Sequence, residues 1–340
     1  MSTYIKQTDK GMPVYTDCPP ILKEYLRNII VVRGLSEQTA NTYYVNLRLF
    51  LRFIKMKNRN IPEVQYDEID IEDVTIKEIS EVTKDDILEF ILFVSKSGNK
   101  ISSRSNKLST IIGFYKYFCD TYPDLMQVNP AAKIERPKKA KKHPIYLNED
   151  EAQLLLEASK KTAYPERDFC ITTLFLNCGL RLSELTGINV NSIHENTIKI
   201  LGKGNKERTI YLNSSCVYAM EKWIEVRKNL KAIKDTDALF ISRNGTRLVQ
   251  RSVQKIIKKE LMIAGLDGKG YSPHKLRHTA ATMIYKGGAR LMELKEILGH
   301  EHTTTTEIYT HLNNEQLKTA TENNPLNKIT KENEKGDKEQ

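Results

Sequence analysis

The chain has 340 residues, of which 39% are hydrophobic and 28% are charged, and its mean hydropathy is -0.49. Runs of about eighteen apolar residues are absent, which excludes a membrane-spanning helix, and the segment MSTYIKQTDKGMPVYTDCPP lacks the apolar core of a secretion signal. The 5 cysteines form no C-x-x-C pair, so neither a disulfide framework nor a cysteine-zinc site is indicated. We expect a cytoplasmic protein of about two domains.

Basic residues outnumber acidic ones in the chain as a whole. The 53 Lys and Arg against 43 Asp and Glu give a net charge of +10 and a pI near 9.1. Such a charge suits a polyanionic partner, and nucleic acid is the most common one.

The N-terminal part of the sequence predicts a helical domain. Apolar residues at three- and four-residue spacing indicate two amphipathic helices, the first ending at Gly34 and the second capped by Ser36. The acidic stretch 61–82 is interpreted as a solvent-facing loop with a short turn or helix. Thr83 then begins a third long helix as its N-cap.

A fourth helix carries basic residues beside its apolar stripe. Arg104 and Lys107 are the candidates there for DNA contacts, and a solvated charged face is the alternative explanation. The linker that follows, residues 129–144, is rich in proline and basic residues and can cross DNA phosphates. Its candidate DNA-binding residues are Lys138, Lys139, Lys141 and Lys142. An ordinary connector between domains is the alternative for this segment.

The C-terminal part predicts more helices and one small sheet. Asn148 caps a helix, another helix stops at Gly179, and two strands flank a Gly-Lys-Gly-Asn turn. Further helices are predicted around Trp223, over 253–263 and over 273–286. The predicted fold class is therefore mainly α with a small antiparallel β-sheet (α+β).

Four motifs in this part carry residues suited to phosphodiester chemistry. Singly, each residue has a plain structural explanation, such as a surface salt bridge or a packed ring. Together, arginines can bind a phosphate, a tyrosine can attack it, and a lysine or histidine can protonate the leaving oxygen, with no metal. The motifs are CGLRLSEL with Arg181, GKGNKER with Lys203, SPHKLRHT with His274 and Arg277, and LGHEHTTTTEIYTH with His300 and Tyr309.

With these motifs in the same order, the chain resembles the tyrosine recombinases of the phage integrase family, most closely the Xer type, over roughly residues 20–320. The resemblance implies site-specific recombination of double-stranded DNA through a covalent 3′-phosphotyrosine, without ATP, metal or other cofactor. It also implies a homo-tetramer, or a hetero-tetramer with a related recombinase, on paired sites. The implied organisation is an extension (1–19), a helical SAM-like core-binding domain (20–128), the basic linker (129–144), a catalytic domain (145–320) and a disordered tail (321–340).

The resemblance also implies a role for each motif residue. Arg181 and Arg277 would hold the scissile phosphate, Lys203 would protonate the 5′ oxygen, and Tyr309 would be the nucleophile. The histidines at positions 274 and 300 would assist with phosphate contacts and proton handling. Glu184, three residues after the first arginine, would orient that arginine or its helix.

Three other classes of function remain as alternatives. A metalloenzyme could use His274 with His278, or His300 with His302, but no acid stands within the first pair as in H-E-x-x-H. A noncatalytic DNA-binding protein of the same fold would lack the nucleophile or an arginine, and none is missing. A type IB topoisomerase-like enzyme would share the chemistry but relax DNA without pairing specific sites.

Overall fold

Two separate hydrophobic cores divide the chain into two compact units, Met1–Lys141 and Lys142–Gln340. The computed structural model describes residues 5–7, 13–137, 145–202 and 207–299, with side chains from residue 15 onward. The expectations for the 203–206 turn and for the tail 321–340 lie outside the described residues.

The first unit is helical apart from one short hairpin of antiparallel strands. Ser36 is the N-cap of the second helix, and its hydroxyl accepts the Thr39 amide at 3.3 Å. Thr83 and Asp86 form a reciprocal capping box at the start of the fourth helix. Both predicted helix starts are therefore confirmed. The elements are β1 (Ile5–Gln7), β2 (Pro13–Tyr15), α1 (Pro20–Val31), α2 (Glu37–Asn58), α3 (Ile76–Ser80), α4 (Lys84–Lys96) and α5 (Ile101–Thr121).

Aromatic rings fill the centre of this core. Phe50 of α2 packs edge-on against Phe90 of α4 at 5.2 Å and against Tyr115 of α5 at 6.3 Å between ring centroids. Such edge-to-face pairs add to the stabilisation from apolar burial alone. They hold α2, α4 and α5 together as one bundle.

A buried ion pair attaches the segment before α1 to α2. Asp17 is 3% exposed, accepts a hydrogen bond from the Tyr44 hydroxyl, and pairs with Arg48 at 2.5 Å. Cys18 beside it is completely buried. Residues 15–18 thus belong to the core of the helical unit.

The acidic stretch is less exposed than the sequence predicts. It contains a 3-10 turn (Glu63–Glu68) and α3, and its apolar side chains at Ile71 and Ile79 are fully buried. Its acids contact basic residues near the end of α2: Asp73 pairs with Lys55 and Arg59. The stretch is a packed part of the domain, because five of its apolar side chains are buried and two of its acids, Asp73 and Glu78, pair with basic residues at the end of α2.

The second unit combines seven helices with a three-stranded antiparallel sheet in its described residues. The sheet order is β3-β4-β5, and Ile198 of β4 lies opposite Ile210 of β5. Both isoleucines are buried, so this face of the sheet packs on the core. The elements are α6 (Glu149–Ser159), α7 (Pro165–Cys178), α8 (Leu182–Gly187), β3 (Ile193–His194), β4 (Thr197–Leu201), β5 (Glu207–Tyr211), α9 (Ser214–Lys228), α10 (Gln250–Ile263), α11 (Pro273–Lys286) and α12 (Leu291–Leu298).

Local signals account for most helix ends in this unit. Asn148 caps α6 through a reciprocal box with Glu151, as predicted. Gly179 and Gly299 end α7 and α12 in the left-handed conformation, with φ of 58° and 62°. Ser272 occupies the N-cap position of α11, but its side chain makes no capping hydrogen bond. The mainly helical fold with a small antiparallel sheet is confirmed, and β3 is the strand that the sequence pattern missed.

None of the helices in the described part of the chain has the length and apolar character needed to cross a bilayer.

Candidate active site

Two predicted site arginines come together where helices α7 and α12 end. Arg277, on α11, is 5% exposed and donates from its two Nη atoms to the carbonyls of Gly179 at 2.7 Å and Leu298 at 2.6 Å. Arg181, the N-cap residue of α8, donates from Nη2 to the Gly299 carbonyl at 2.8 Å. The last carbonyls of a helix lack partners within the helix, and they favour cations. The ends of α7 and α12 therefore hold both guanidinium groups in place.

Glu184 lies beneath these arginines and binds both of them. Its side chain is 1% exposed and accepts the backbone amide and Nη1 of Arg181, each at 2.7 Å. One carboxylate oxygen lies 3.6 Å from Nη1 of Arg277. The sequence predicts that Glu184 orients Arg181 or its helix, and in the structure its carboxylate contacts Arg181 and also faces the second arginine.

A third arginine, Arg208 of β5, completes the cluster. Its Nη2 donates to Glu184 at 2.9 Å, and its Nη1 donates to the carbonyl of Ile297. Three consecutive carbonyls at the end of α12, those of Ile297, Leu298 and Gly299, thus each accept a hydrogen bond from a different arginine. The sequence analysis assigned no site role to Arg208, the last residue of the GKGNKER motif. The signal was its position two residues before buried Ile210, which places both on one face of the strand.

The four charged side chains of this cluster leave a positive excess. Burial acts to raise the pKa of the Glu184 carboxyl, but Arg208 and the amide and guanidinium of Arg181 hold that pKa below its usual range. Burial lowers the pKa of Arg208, and Glu184 opposes this shift. An arginine keeps its proton at neutral pH in any case. Three guanidinium groups and one carboxylate give a net charge of +2, which suits a phosphodiester anion.

His274 lies one helical turn from Arg277 on α11 and is exposed. Its pKa is lowered by partial desolvation and by the charges of Lys275 and Arg277, which favours the neutral imidazole. A neutral imidazole can accept a proton or a hydrogen bond. Its ring contacts that of His278 edge-on, with 4.6 Å between centroids.

The remaining predicted site residues fall into two groups. Arg104 and Lys107 lie in the helical unit, where Nη1 of Arg104 donates to Ser95 at 2.8 Å. Lys107 is 7% exposed, and its ammonium group lies 3.4 Å from Asn99 and from Ser103. Burial lowers its pKa. Lys203, His300, Tyr309, Lys138, Lys139, Lys141 and Lys142 lie outside the described residues.

Comparisons with known proteins match both units of the chain to domains of one family. The sequence profile of the phage integrase family matches residues 146–316, and that of the phage integrase N-terminal SAM-like domain matches residues 21–124. The chain is 42% identical over 311 residues to a protein named tyrosine recombinase XerC from Caldanaerobacter subterraneus subsp. tengcongensis, covering 91% of this chain and 87% of the relative. It is 31% identical to tyrosine recombinase XerD from Oceanobacillus iheyensis, covering 87% and 95%.

Solved structures with the same fold include recombinases bound to DNA. The XerH site-specific recombinase bound to palindromic difH substrate, in a post-cleavage complex, matches with a TM-score of 0.65 and 21% identity over 89% of this chain and 94% of that one. The lambda integrase tetramer bound to a Holliday junction matches with a TM-score of 0.61 and 16% identity over 85% and 76%. At these identities the likeness concerns the fold.

Proposed function

The chain belongs to the phage integrase family and is a site-specific tyrosine recombinase, and we propose that it cuts DNA with Tyr309 while Arg181 and Arg277 hold the scissile phosphate. The observation that carries this assignment is the shared carboxylate. Glu184 binds the two arginines, which come from separate helices, and the cluster keeps a net positive charge where a phosphate would lie.

The proposed reaction exchanges one phosphoester bond for another. The Tyr309 oxygen bonds to phosphorus, the bond from phosphorus to the 5′ oxygen breaks, and the DNA 3′ end stays attached to the enzyme. The 5′ hydroxyl of a partner DNA strand later attacks the phosphotyrosine. This step forms a new phosphodiester and releases Tyr309. The energy of the broken ester is conserved in the covalent link, so no nucleotide cofactor is required. The arginines stabilise the negative charge that grows on the nonbridging oxygens.

Two protons move in this scheme. We assign Lys203 as the acid that protonates the 5′ oxygen, with Lys206 in the same turn as the competing candidate. Neutral His274 is suited to accept a hydrogen bond or the proton of the tyrosine, because its pKa is lowered. His300, next to Gly299 in the chain, is assigned to phosphate contacts and proton handling.

Outside the chemical site, we assign the grip on DNA to the helical domain and the basic linker. Residues 20–128 would form the core-binding domain and residues 145–320 the catalytic domain, with extension 1–19 and tail 321–340. Arg104, Lys107 and the linker lysines at 138, 139, 141 and 142 would contact phosphates. Within the described residues, the buried ammonium of Lys107 has only the neutral side chains of Asn99 and Ser103 as hydrogen-bond partners, which supports an anionic ligand for it.

The proposed assembly is a tetramer on two paired sites, acting in the cytoplasm where chromosomal DNA lies. It would consist of four copies of this chain or of two copies with a related recombinase. The relatives named XerC and XerD and the tetrameric lambda integrase support this assembly. Native electrophoresis with one and with two DNA sites would measure it.

The first experiment traps the DNA site and tests the nucleophile together. Full-length enzyme is incubated with fragmented genomic DNA of its host, denatured, and recovered with the DNA that stays covalently attached. Sequencing the attached ends identifies the site, from which a nicked duplex (the trapped-site duplex) is made. Tyr309→Phe should bind this duplex and form no adduct. A covalent adduct in that variant would show that another residue is the nucleophile.

A second experiment tests the general acid. Lys203→Ala should slow cleavage of the trapped-site duplex by about 10²–10⁴-fold. A 5′-bridging sulfur gives a leaving group that needs no proton, so this substrate should restore the rate for Lys203→Ala and fail to restore it for Arg181→Ala. If the sulfur substrate restores the cleavage rate of Lys206→Ala and not that of Lys203→Ala, Lys206 is the general acid. If that substrate restores the rate of neither variant, a histidine is favoured as the general acid.

Plasmid relaxation separates recombination from topoisomerase activity. A recombinase should act on plasmids that carry the trapped site and exchange strands between two copies of it. Rapid relaxation of plasmids that lack the site would instead indicate the topoisomerase-like alternative.

A further inference from the structure

Arg208 joins elements that each lead to a proposed catalytic group. Its own strand, β5, follows the turn that contains Lys203 in the sequence. Its guanidinium reaches Glu184 on α8, which binds Arg181, and the Ile297 carbonyl on α12, three residues before His300. Arg181 and Arg277 also bind Glu184 and the end of α12. Among the described residues, Arg208 is the one that makes both contacts from the sheet.

We infer that Arg208 is a positioning residue, which fixes Glu184 and the end of α12 so that Arg181 and Arg277 keep the geometry needed for the transition state. Both of its Nη atoms bind protein groups, Glu184 and the Ile297 carbonyl, and these contacts assign its role. The inference rests on the proposed roles of Arg181 and Arg277.

Gly299 provides the space that Arg208 needs. A Cβ atom built on Gly299 would lie 2.9 Å from Cδ, 3.0 Å from Nε and 3.1 Å from Cζ of Arg208. Contacts under 3 Å force a shift. The Arg208 side chain therefore occupies space that a side chain at position 299 would fill, beside the same residue whose carbonyl accepts Arg181. Among the described residues the buried Nε of Arg208 has no hydrogen-bond partner, and the two Nη atoms make the hydrogen bonds of the group.

The two Nη contacts explain why a lysine could not replace this arginine. Lysine has a single nitrogen on a flexible stem, whereas the planar guanidinium makes two hydrogen bonds in fixed directions. Arg208→Lys keeps the positive charge and loses the simultaneous contact with Glu184 and Ile297. The carboxylate and the end of α12 would then be linked, within the described residues, through Arg181 and Arg277 alone, the two groups proposed to hold the phosphate. A displacement of about 1 Å in a catalytic group can cost about 10²-fold in rate.

The test compares Arg208→Lys with a matched arginine elsewhere in the same unit. Arg227 is 8% exposed and donates to the carbonyls of residues 235, 236 and 238, away from the arginine cluster. Both full-length variants are measured for thermal unfolding, for affinity to the trapped-site duplex, and for single-turnover cleavage at saturating enzyme. Arg208→Lys should cleave about 10²-fold more slowly, with its affinity within about threefold of wild type. Arg227→Lys should cleave at the wild-type rate.

Substrate chemistry then distinguishes positioning of the arginines from other roles. The 5′-sulfur duplex, which restores Lys203→Ala, should leave Arg208→Lys slow, because charge stabilisation is the function lost. Restoration by sulfur would overturn the inference and assign Arg208 to the general acid. Wild-type cleavage by Arg208→Lys, or an equal loss in Arg227→Lys, would also overturn it. If Arg181→Ala cleaves at the wild-type rate, the proposed function is wrong. If Arg181→Ala is inactive and Arg208→Lys cleaves at the wild-type rate, only the inference about Arg208 is wrong.

Discussion

Replacing Glu184 by Gln should destabilise the catalytic unit by about 3 kcal/mol at pH 7. The substitution keeps the shape and removes the charge that faces three guanidinium groups. One amide nitrogen must replace an oxygen that accepts from Arg181 or Arg208, so at least one hydrogen bond is lost. Breaking a buried ion pair costs about 3–5 kcal/mol. We take the lower end, because the Arg181 side chain is 32% exposed and water can partly replace its partner.

The pH dependence of this loss has a definite sign. The pKa of Glu184 is lower in the folded protein than in the unfolded chain, so its charge stabilises the fold above the unfolded value near 4.5. That stabilisation disappears as the pH falls through the folded pKa. The difference between wild type and Glu184→Gln should therefore narrow below about pH 4.5.

Urea unfolding followed by tryptophan fluorescence measures this difference in the correct unit. The chain has 1 tryptophan, Trp223, which is buried in α9 of the catalytic unit. Glu260→Gln is the matched control. Glu260 is also fully buried, but burial raises its pKa, and it accepts one hydrogen bond, from Thr172 at 2.6 Å.

The pKa of Glu260 is higher in the folded protein than in the unfolded chain. As the pH rises above the pKa of the unfolded chain, keeping this carboxyl neutral therefore costs stability. Glu260→Gln removes that cost, so the variant should gain stability relative to wild type as the pH rises. Glu184→Gln should do the opposite. The reasoning would be refuted if wild type and Glu184→Gln differed in unfolding free energy by the same amount at pH 7 and at pH 4.

Three further predictions concern other parts of the chain. Asp17→Asn should destabilise the helical unit by about 3–5 kcal/mol, measured by circular dichroism in urea, because it removes the carboxylate charge from a buried ion pair with Arg48; a loss under 1 kcal/mol would contradict this. Gly179→Ala should lower cleavage of the trapped-site duplex and also the melting temperature, since φ is 58° and the new Cβ would lie 2.7 Å from Cδ2 of Leu298; unchanged activity and stability would contradict it. Changing Lys138, Lys139, Lys141 and Lys142 to Ala should flatten the dependence of log K on log salt by about 0.9 for each lysine that lies on a phosphate, and an unchanged slope would show that the linker does not contact DNA.

The sequence by itself predicted the helices that have strong local signals. Helix α11 begins and ends at the predicted residues, 273 and 286, because proline favours the first turn and a glycine follows the last. The caps at Ser36, Thr83 and Asn148 were predictable for the same reason, since each bonds to an amide three residues away. The four motifs also identified the family, because residue type and order are properties of the chain alone.

The tertiary structure decided how the site residues are held. Arg208, Glu184 and the end of α12 are distant in sequence, and a linear pattern carries no information about which carbonyl a guanidinium will meet. Burial of Lys107 and of the acidic stretch was likewise unpredictable, because a charged residue goes inside only when other elements supply its partners. Capping bonds span three or four residues and can be predicted from the sequence, whereas the arginine cluster joins α8, β5, α11 and α12 and exists only after they have packed.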